Sequence, residues 1–150
     1  MAEVRVPTFE EFSSFDGAHC NRLWASLPRF WRCPGCGRSS YEIMRWTQLF
    51  PKKPEKRHMG WAVGLHRHHD HGVDLLGNGA RFPETVVCEQ CNSADGHAKK
   101  VLDLPGMFSF SPEEIRQFVT GTPHGNHTVD LDRARALYEK VARADVGASS

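Results

Sequence analysis

The stretch Cys88-Glu89-Gln90-Cys91-Asn92-Ser93-Ala94-Asp95-Gly96-His97-Ala98-Lys99 decides how this chain can fold. It opens with a C-x-x-C pair, and an upstream pair, Cys33-Pro34-Gly35-Cys36, is separated from it by 51 residues. Two tight pairs of soft sulfur donors fit the tetrahedral coordination that Zn²⁺ prefers. Because the intervening segment is longer than a compact zinc finger, we expect one structural zinc to clamp a larger inserted unit.

Two disulfides, or four thiols in an ordinary core, are the alternatives to a zinc site. The first residues, Met1–Val6, are few and include charged side chains, unlike a secretory signal, and no apolar run reaches membrane-spanning length. We therefore expect a cytoplasmic protein without a membrane partner, in which paired C-x-x-C motifs favour metal over disulfides. The fifth cysteine, Cys20, is expected to be a buried or idle thiol.

Length and charge suggest one domain, 1–150, with a modest core that a metal would help to stabilise. The chain has 19 Lys and Arg against 18 Asp and Glu, so it has no global basic field. Any affinity for DNA must then come from local patches, and two patches qualify. Their members are Lys52, Lys53, Lys56 and Arg57 in the first and Lys99 and Lys100 in the second. A solvated loop is the competing interpretation of the first patch.

Helical patterns occur in several segments, some of them preceded by a capping residue. The segments are 8–30 in pieces, 41–50, 91–100, 111–119 and 131–144. Thr8, Ser111 and Asp130 are the expected N-caps. The last two helices are expected to be scaffold or to form a homodimer, and the link between them, with His124 and His127, is expected to be a surface loop.

Extended segments flank the histidines. Alternation over Trp61–Leu65 predicts a strand that runs into the histidine-rich stretch, and 84–87 predicts a second strand that leads into Cys88. Asn78-Gly79 is typical of a turn, and Phe30-Trp31 suggests a further short strand. The predicted order is strand, histidine loop, strand, cysteine pair and helix.

Four histidines fall within residues 66–71, and a buried core could not accommodate four imidazoles without partners. An exposed loop or an adventitious metal-binding tract is the plainer explanation. However, the strand delivers His68-His69 while the helix after Cys91 presents Asn92 and Asp95 on one face. Imidazole, amide and carboxylate groups that converge in this way suit metal-assisted hydrolysis of a phosphodiester.

This combination of motifs resembles the His-Me finger (HNH-type, ββα-metal) nucleases, and within them the recombination endonuclease VII group. The resemblance covers roughly Cys33–Lys100, and Cys88–Lys99 is its most specific part. It implies an α+β fold with a zinc-stapled ββα-metal core at about 61–102. The cysteine pairs at 33–36 and 88–91 would hold the zinc, and flanking helices would include a C-terminal part at 111–146.

The resemblance also implies roles for individual residues. His69 matches the general base, Asn92 matches a ligand of the catalytic ion, and Asp95 matches an acidic active-site residue. His68 falls where the group usually has a metal-binding aspartate, and other HNH nucleases have a histidine there; Asp70 is a further candidate ligand. Oxygen ligands favour Mg²⁺, whereas imidazole admits Mn²⁺, Ni²⁺ or Zn²⁺ more readily, so the identity of the catalytic ion stays open between Mg²⁺ or Mn²⁺ and these other ions.

Two alternatives remain open at this point. Strict alternation from Trp61 would place His69 on the same strand face as Leu65. For His69 to face the catalytic ion, the strand must therefore bend or end near Arg67. Otherwise Asp70 is the metal ligand and His71 the general base. The chain is then expected to be a metal-dependent DNA endonuclease, acting on branched, sequence-specific or arbitrary duplex substrates. The alternative is a non-catalytic zinc-ribbon module that binds nucleic acid or protein.

Overall fold

Helices and small antiparallel sheets make up the computed structural model, which describes residues 4–18, 20–49, 52, 54–70 and 81–148. The helices are α1 (Phe9–Ser14), α2 (Asn21–Ser26), α3 (Ser40–Ile43), α4 (Glu89–Val101), α5 (Pro112–Phe118) and α6 (Leu131–Ala148). The strands are β1 (Arg45–Leu49), β2 (His58–Ala62), β3 (Leu65–His68), β4 (Thr85–Cys88), β5 (Val119–Thr120) and β6 (Thr128–Val129). The predicted α+β class is thereby confirmed.

The N-terminal region follows its capping signals. Thr8 caps α1 through a capping box with Glu11, and the chain is helical in pieces up to Ser26, as predicted. The short strand predicted at Phe30-Trp31 is wrong. Phe30 is 86% exposed, and the extended contact nearby is an isolated bridge between Arg32 and Ser39 that closes the first cysteine loop.

The helix predicted over 41–50 is also wrong beyond its first turn. After α3 the chain becomes extended at Met44 and enters β1, which pairs with β2 in an antiparallel hairpin. Trp46 lies directly opposite Trp61, with ring centroids 5.3 Å apart in an edge-to-face arrangement. A cross-strand aromatic pair stabilises a hairpin, and sequence spacing within 41–50 cannot reveal a partner 15 residues away.

The single strand predicted from Trp61 into the histidines is two strands. Val63-Gly64 interrupts it, so that β2 pairs with β1 while β3 pairs with β4 in a separate antiparallel hairpin. A side chain at Gly64 would collide with Glu89, so this close approach requires glycine. β3 then ends at His68, and α4 begins directly after β4 at Glu89. The turn predicted at Asn78-Gly79 lies outside the described residues.

The core lies between the β3–β4 hairpin and the helices α4, α5 and α6. Its most deeply buried side chains include Phe110, Met44, Ile115 and Val87. Ser111 caps α5 through a capping box with Glu114, as predicted. No helix in the described part of the chain is long and apolar enough to cross a membrane.

Candidate metal centres

The four paired cysteines converge on one point. Their sulfurs lie within 4.8 Å of one another, with Cys33 Sγ 3.7 Å from Cys91 Sγ and Cys36 Sγ 3.8 Å from Cys88 Sγ. Four sulfurs at 2.3 Å from a tetrahedral zinc would be about 3.8 Å apart. The thiol spacing therefore fits a structural zinc, and it is far too long for disulfide bonds at about 2.05 Å.

Each cysteine pair is placed by regular structure. Cys33 and Cys36 lie in a tight turn, in which the Gly37 N–H donates to the Cys33 carbonyl at 2.7 Å. Cys88 ends β4 and Cys91 lies in the first turn of α4, so the strand-to-helix junction presents both sulfurs on one side. The four-cysteine site thus joins the N-terminal loop to the β3–β4–α4 unit.

We expect Gly35→Ala to weaken zinc binding. A Cβ at position 35 would lie 2.7 Å from Cys91 Sγ, and overpacking of this kind costs about 1–3 kcal/mol, or roughly 5- to 150-fold in zinc affinity. Competition with a chromophoric chelator measures the affinity. Gly96→Ala is the matched control, because nothing lies within 4 Å of its Cβ and the change should stabilise α4 by about 0.5–1 kcal/mol. Equal zinc affinities in the two variants would contradict the proposed packing.

Arg38 lies against the thiol cluster and is almost fully buried. Its guanidinium donates to Cys36 Sγ at 3.3 Å and Cys88 Sγ at 3.4 Å, and also to the Thr122 carbonyl at 2.9 Å. Zinc with four thiolates carries a formal charge of about −2. Arg38 would therefore offset part of that charge, and it ties the 121–127 loop to the four-cysteine site.

His127 is the second basic group at the cluster. Its Nε2 lies 3.4 Å from Cys91 Sγ and 3.7 Å from Cys88 Sγ. Burial alone would lower the pKa of His127, but its contacts with the sulfurs of Cys36 and Cys88 raise that pKa overall. Hydrogen bonds among the four sulfurs lower the pKa of Cys36, chiefly through Cys33, and raise the pKa of Cys91, chiefly through Cys33 and Cys36.

A second polar centre lies where β3 meets α4. His68 is 2% exposed, and its ring stacks on Phe82 with centroids 5.4 Å apart. His68 Nε2 lies 2.7 Å from the Phe110 carbonyl oxygen, while His68 Nδ1 lies 3.2 Å from Asn92 Oδ1. The structure therefore brings together two of the three residues that the sequence predicted as ligands of the catalytic ion, His68 and Asn92.

These four atoms fit two arrangements, a bound cation or an Asn92 amide turned so that its nitrogen donates to His68 Nδ1. A carbonyl only accepts, so Nε2 carries a proton, and in a neutral imidazole the Nδ1 lone pair then faces the lone pairs of Asn92 Oδ1. Two neighbouring ligands of an octahedral ion would be about 3.0 Å apart, close to the observed separation. A doubly protonated ring would also fit, but it would bury a cation whose partners here are both neutral.

His69, the predicted general base, is exposed directly after β3. Its Nδ1 lies 3.2 Å from the Arg67 carbonyl oxygen, which can only accept. Nδ1 therefore carries a proton in this arrangement, and Nε2 is the basic nitrogen. The alternative base, His71, lies outside the described residues.

The two predicted acidic residues are buried and hydrogen-bonded within the fold. Asp70 is 4% exposed and its Oδ2 accepts from the Arg81 N–H at 2.8 Å. Asp95 is 3% exposed, its Oδ1 accepts from the Phe110 N–H at 2.8 Å, and its Oδ2 pairs with Lys99 at 3.1 Å. Asp95 thus holds Phe110, whose carbonyl contacts His68 Nε2. Its role is to position His68, and its bonded oxygens do not contact the Nδ1 side of that ring.

The predicted DNA-binding residues separate into distinct places. Lys52 and Arg57 are exposed at the far end of the β1–β2 hairpin, and Lys56 belongs to the short turn Pro54–Lys56 there. Lys53 lies outside the described residues. Lys99 is engaged by Asp95, whereas Lys100 is exposed on α4.

Sequence reasoning missed three contributors. Arg38 had a weak signal, a basic residue two positions after a paired cysteine, and Phe110 contributes its backbone carbonyl and N–H, which no motif records. The expectation that His124 and His127 are surface residues is wrong. His124 is 8% exposed and its Nδ1 lies 2.9 Å from the Met44 carbonyl oxygen, while His127 contacts the thiols across 36 residues of sequence.

Comparison with known proteins gives no further assignment: no family model, curated protein or solved structure matches this chain.

Proposed function

We propose that this chain is a metal-dependent DNA endonuclease of the His-Me finger type, with one structural zinc in the four-cysteine site. The observation that carries the proposal is the pairing of His68 Nδ1 with Asn92 Oδ1 at 3.2 Å. The element order β3, β4, α4 supports a ββα-metal core, because a hairpin and the helix that follows it supply these two atoms. His69 follows His68 directly in the chain and is exposed.

The chain's own residues have separate roles in this proposal. His68 and Asn92 would hold one divalent ion, Mg²⁺ or Mn²⁺, which supplies charge neutralisation at the scissile phosphate and at the leaving 3′-oxygen. His69 removes a proton from the attacking water through Nε2, while the Arg67 carbonyl orients the ring. Asp95 and Phe110 fix the plane of His68 and the nitrogen that carries its proton.

One specific observation favours a second candidate, the non-catalytic zinc-ribbon module. If the Asn92 amide is turned so that its nitrogen donates to His68 Nδ1, the histidine is fully satisfied as a structural residue. A metal site and a structural hydrogen bond respond differently to substitution, which allows the two candidates to be separated without any DNA.

We expect the folded protein to bind one Mn²⁺ in addition to its zinc, and Asn92→Ala to lose that second ion. Removing one of two protein ligands should lower Mn²⁺ affinity at least 10-fold, which electron paramagnetic resonance of free Mn²⁺ measures directly. Ser93→Ala is the matched control, because Ser93 is the next residue on α4 and is exposed.

The structural alternative predicts a different pattern. In that case neither wild type nor Asn92→Ala binds a second ion, and Asn92→Ala loses only folding stability because His68 is left with a buried, unsatisfied nitrogen. Equal Mn²⁺ binding by wild type and both variants would place any second ion elsewhere and would remove the main support for the nuclease.

A further inference from the structure

The β1–β2 hairpin concentrates positive charge. Residues 45–62 contain five Lys and Arg and one Glu, a net charge of +4 in a chain whose total is +1, so the rest of the chain carries −3. Lys52 and Arg57 are exposed at the end remote from the core. In a chain that is nearly neutral overall, the sequence of this hairpin is therefore strongly basic.

This hairpin is a two-stranded sheet of its own. Its base is fixed by the N-terminal segment: the Arg5 guanidinium lies 3.6 Å from the centre of the Trp46 ring, and Trp61 Nε1 donates to Glu11 Oε2 at 2.6 Å. On the other side, Arg45 Nη1 donates to Asn126 Oδ1 at 2.5 Å. The base is therefore held rigidly while the sheet extends away from the core.

One face of the hairpin changes character along its length. Alternation places Trp46, Gln48, Met59 and Trp61 on the same face, in the opposed pairs Trp46–Trp61 and Gln48–Met59. The N-terminal segment covers the tryptophan pair. The next pair is open, since Gln48 is exposed and Met59 is 60% exposed.

The hairpin also continues into the proposed catalytic strand. Only Val63 and Gly64 separate β2 from β3, which carries His68 at its end. DNA held by the hairpin would thus be held next to the strand that leads to the second candidate metal centre.

We propose that the β1–β2 hairpin enters the major groove of duplex DNA and makes the endonuclease sensitive to base sequence. Five residues of antiparallel strand span about 17 Å, and the major groove, about 12 Å wide, admits a two-stranded ribbon. Gln48 carries the amide that can bond both N6 and N7 of adenine, and Met59 offers apolar contact to a thymine methyl. Lys52 and Arg57, both exposed at the end of the hairpin, contact the flanking phosphates.

The inference rests on the proposed function for its biological meaning, but its test uses binding alone. Wild type and two triple variants are titrated with a labelled 30-base-pair duplex over a range of salt concentrations, in EDTA and with zinc retained. One variant is Lys52→Gln/Lys56→Gln/Arg57→Gln. The matched control is Arg133→Gln/Arg135→Gln/Lys140→Gln, which removes the same charge from exposed positions on α6.

We expect the hairpin variant to flatten the log–log salt dependence by about two to three units, at roughly 0.9 per phosphate contact, while the α6 variant keeps the wild-type slope. Gln48→Ala and Met59→Ala should keep the wild-type salt dependence but bind different DNA sequences more equally. At one or two positions of the preferred site, the loss of affinity caused by a base change should be roughly 5- to 150-fold smaller than for wild type. Equal slopes in the two triple variants, or no duplex binding by wild type at low salt, would overturn the inference.

The outcome for the hairpin is independent of the outcome for catalysis. If the protein binds DNA through the hairpin but does not cut it with any added ion, this inference stands and the nuclease proposal fails. If the wild type cuts DNA but the two triple variants show equal salt dependence of binding, the nuclease proposal stands. The hairpin is then not the DNA-binding element.

Discussion

Cys91→Ser is expected to leave the chain largely unfolded at room temperature. A structural zinc can supply roughly 10 kcal/mol or more of apparent binding free energy, whereas a domain of this size is stable by only about 5–15 kcal/mol in total. Cys91 is fully buried and its sulfur lies beside those of its three partners, so serine would break the coordination and leave a hydroxyl among thiolates. Circular dichroism and zinc content of the purified protein measure the effect.

Cys20→Ser provides the matched control for this prediction. Cys20 is half-buried and does not belong to the four-sulfur cluster, so its replacement should preserve one zinc per chain and most of the stability. Purified, folded wild type with less than about half an equivalent of zinc would contradict the clamp, as would a cooperatively folded Cys91→Ser protein.

His69→Ala is expected to abolish DNA cleavage without changing the fold. Loss of a general base costs about 10²- to 10⁴-fold in rate. His69 is exposed and its ring makes a backbone hydrogen bond to Arg67, so alanine at this position should keep the zinc, the second ion and DNA binding. Initial rates of plasmid nicking with added Mn²⁺ measure the loss.

His97→Ala serves as the control, since His97 is an exposed histidine on α4 that has no part in the proposed chemistry. His71→Ala tests the alternative register. If His69→Ala cuts at the wild-type rate while His71→Ala is inactive, then Asp70-His71 is the catalytic pair. Cleavage unaffected by both changes would leave the proposed base without support.

Local chemistry explains which parts of this fold the sequence could predict. Ser111 with Pro112 and Glu114 marks the start of α5 because a cap, a proline and a first-turn acid all act within one turn. The two C-x-x-C pairs likewise predict their own convergence, because one metal ion demands four soft ligands and the chain supplies four in two tight turns. In both cases the determining interaction lies within the motif itself.

The errors arise where a distant partner decides the outcome. The spacing of Ile43 and Trp46 is helical, but Trp61 opposite Trp46 makes the segment a strand. His127 reaches the thiols from the 121–127 loop, which Arg38 and Gln90 hold by hydrogen bonds to its carbonyls. Asp95 was predicted as an active-site acid, and the structure adds a partner that no helical spacing could give, the Phe110 N–H.

The central claim is that a structural zinc and a separate, exchangeable divalent ion serve different purposes. A cleavage assay on one sample whose zinc content is also measured tests this claim most directly. Wild-type protein is treated with EDTA, assayed for zinc, and then incubated with supercoiled plasmid before and after Mg²⁺ or Mn²⁺ is added. The account predicts one retained zinc per chain, no cleavage in the chelator, and nicking once the divalent ion is restored. A folded protein that keeps its zinc but fails to cut DNA after either ion is added would contradict the account. The non-catalytic zinc-ribbon binding module would then take its place.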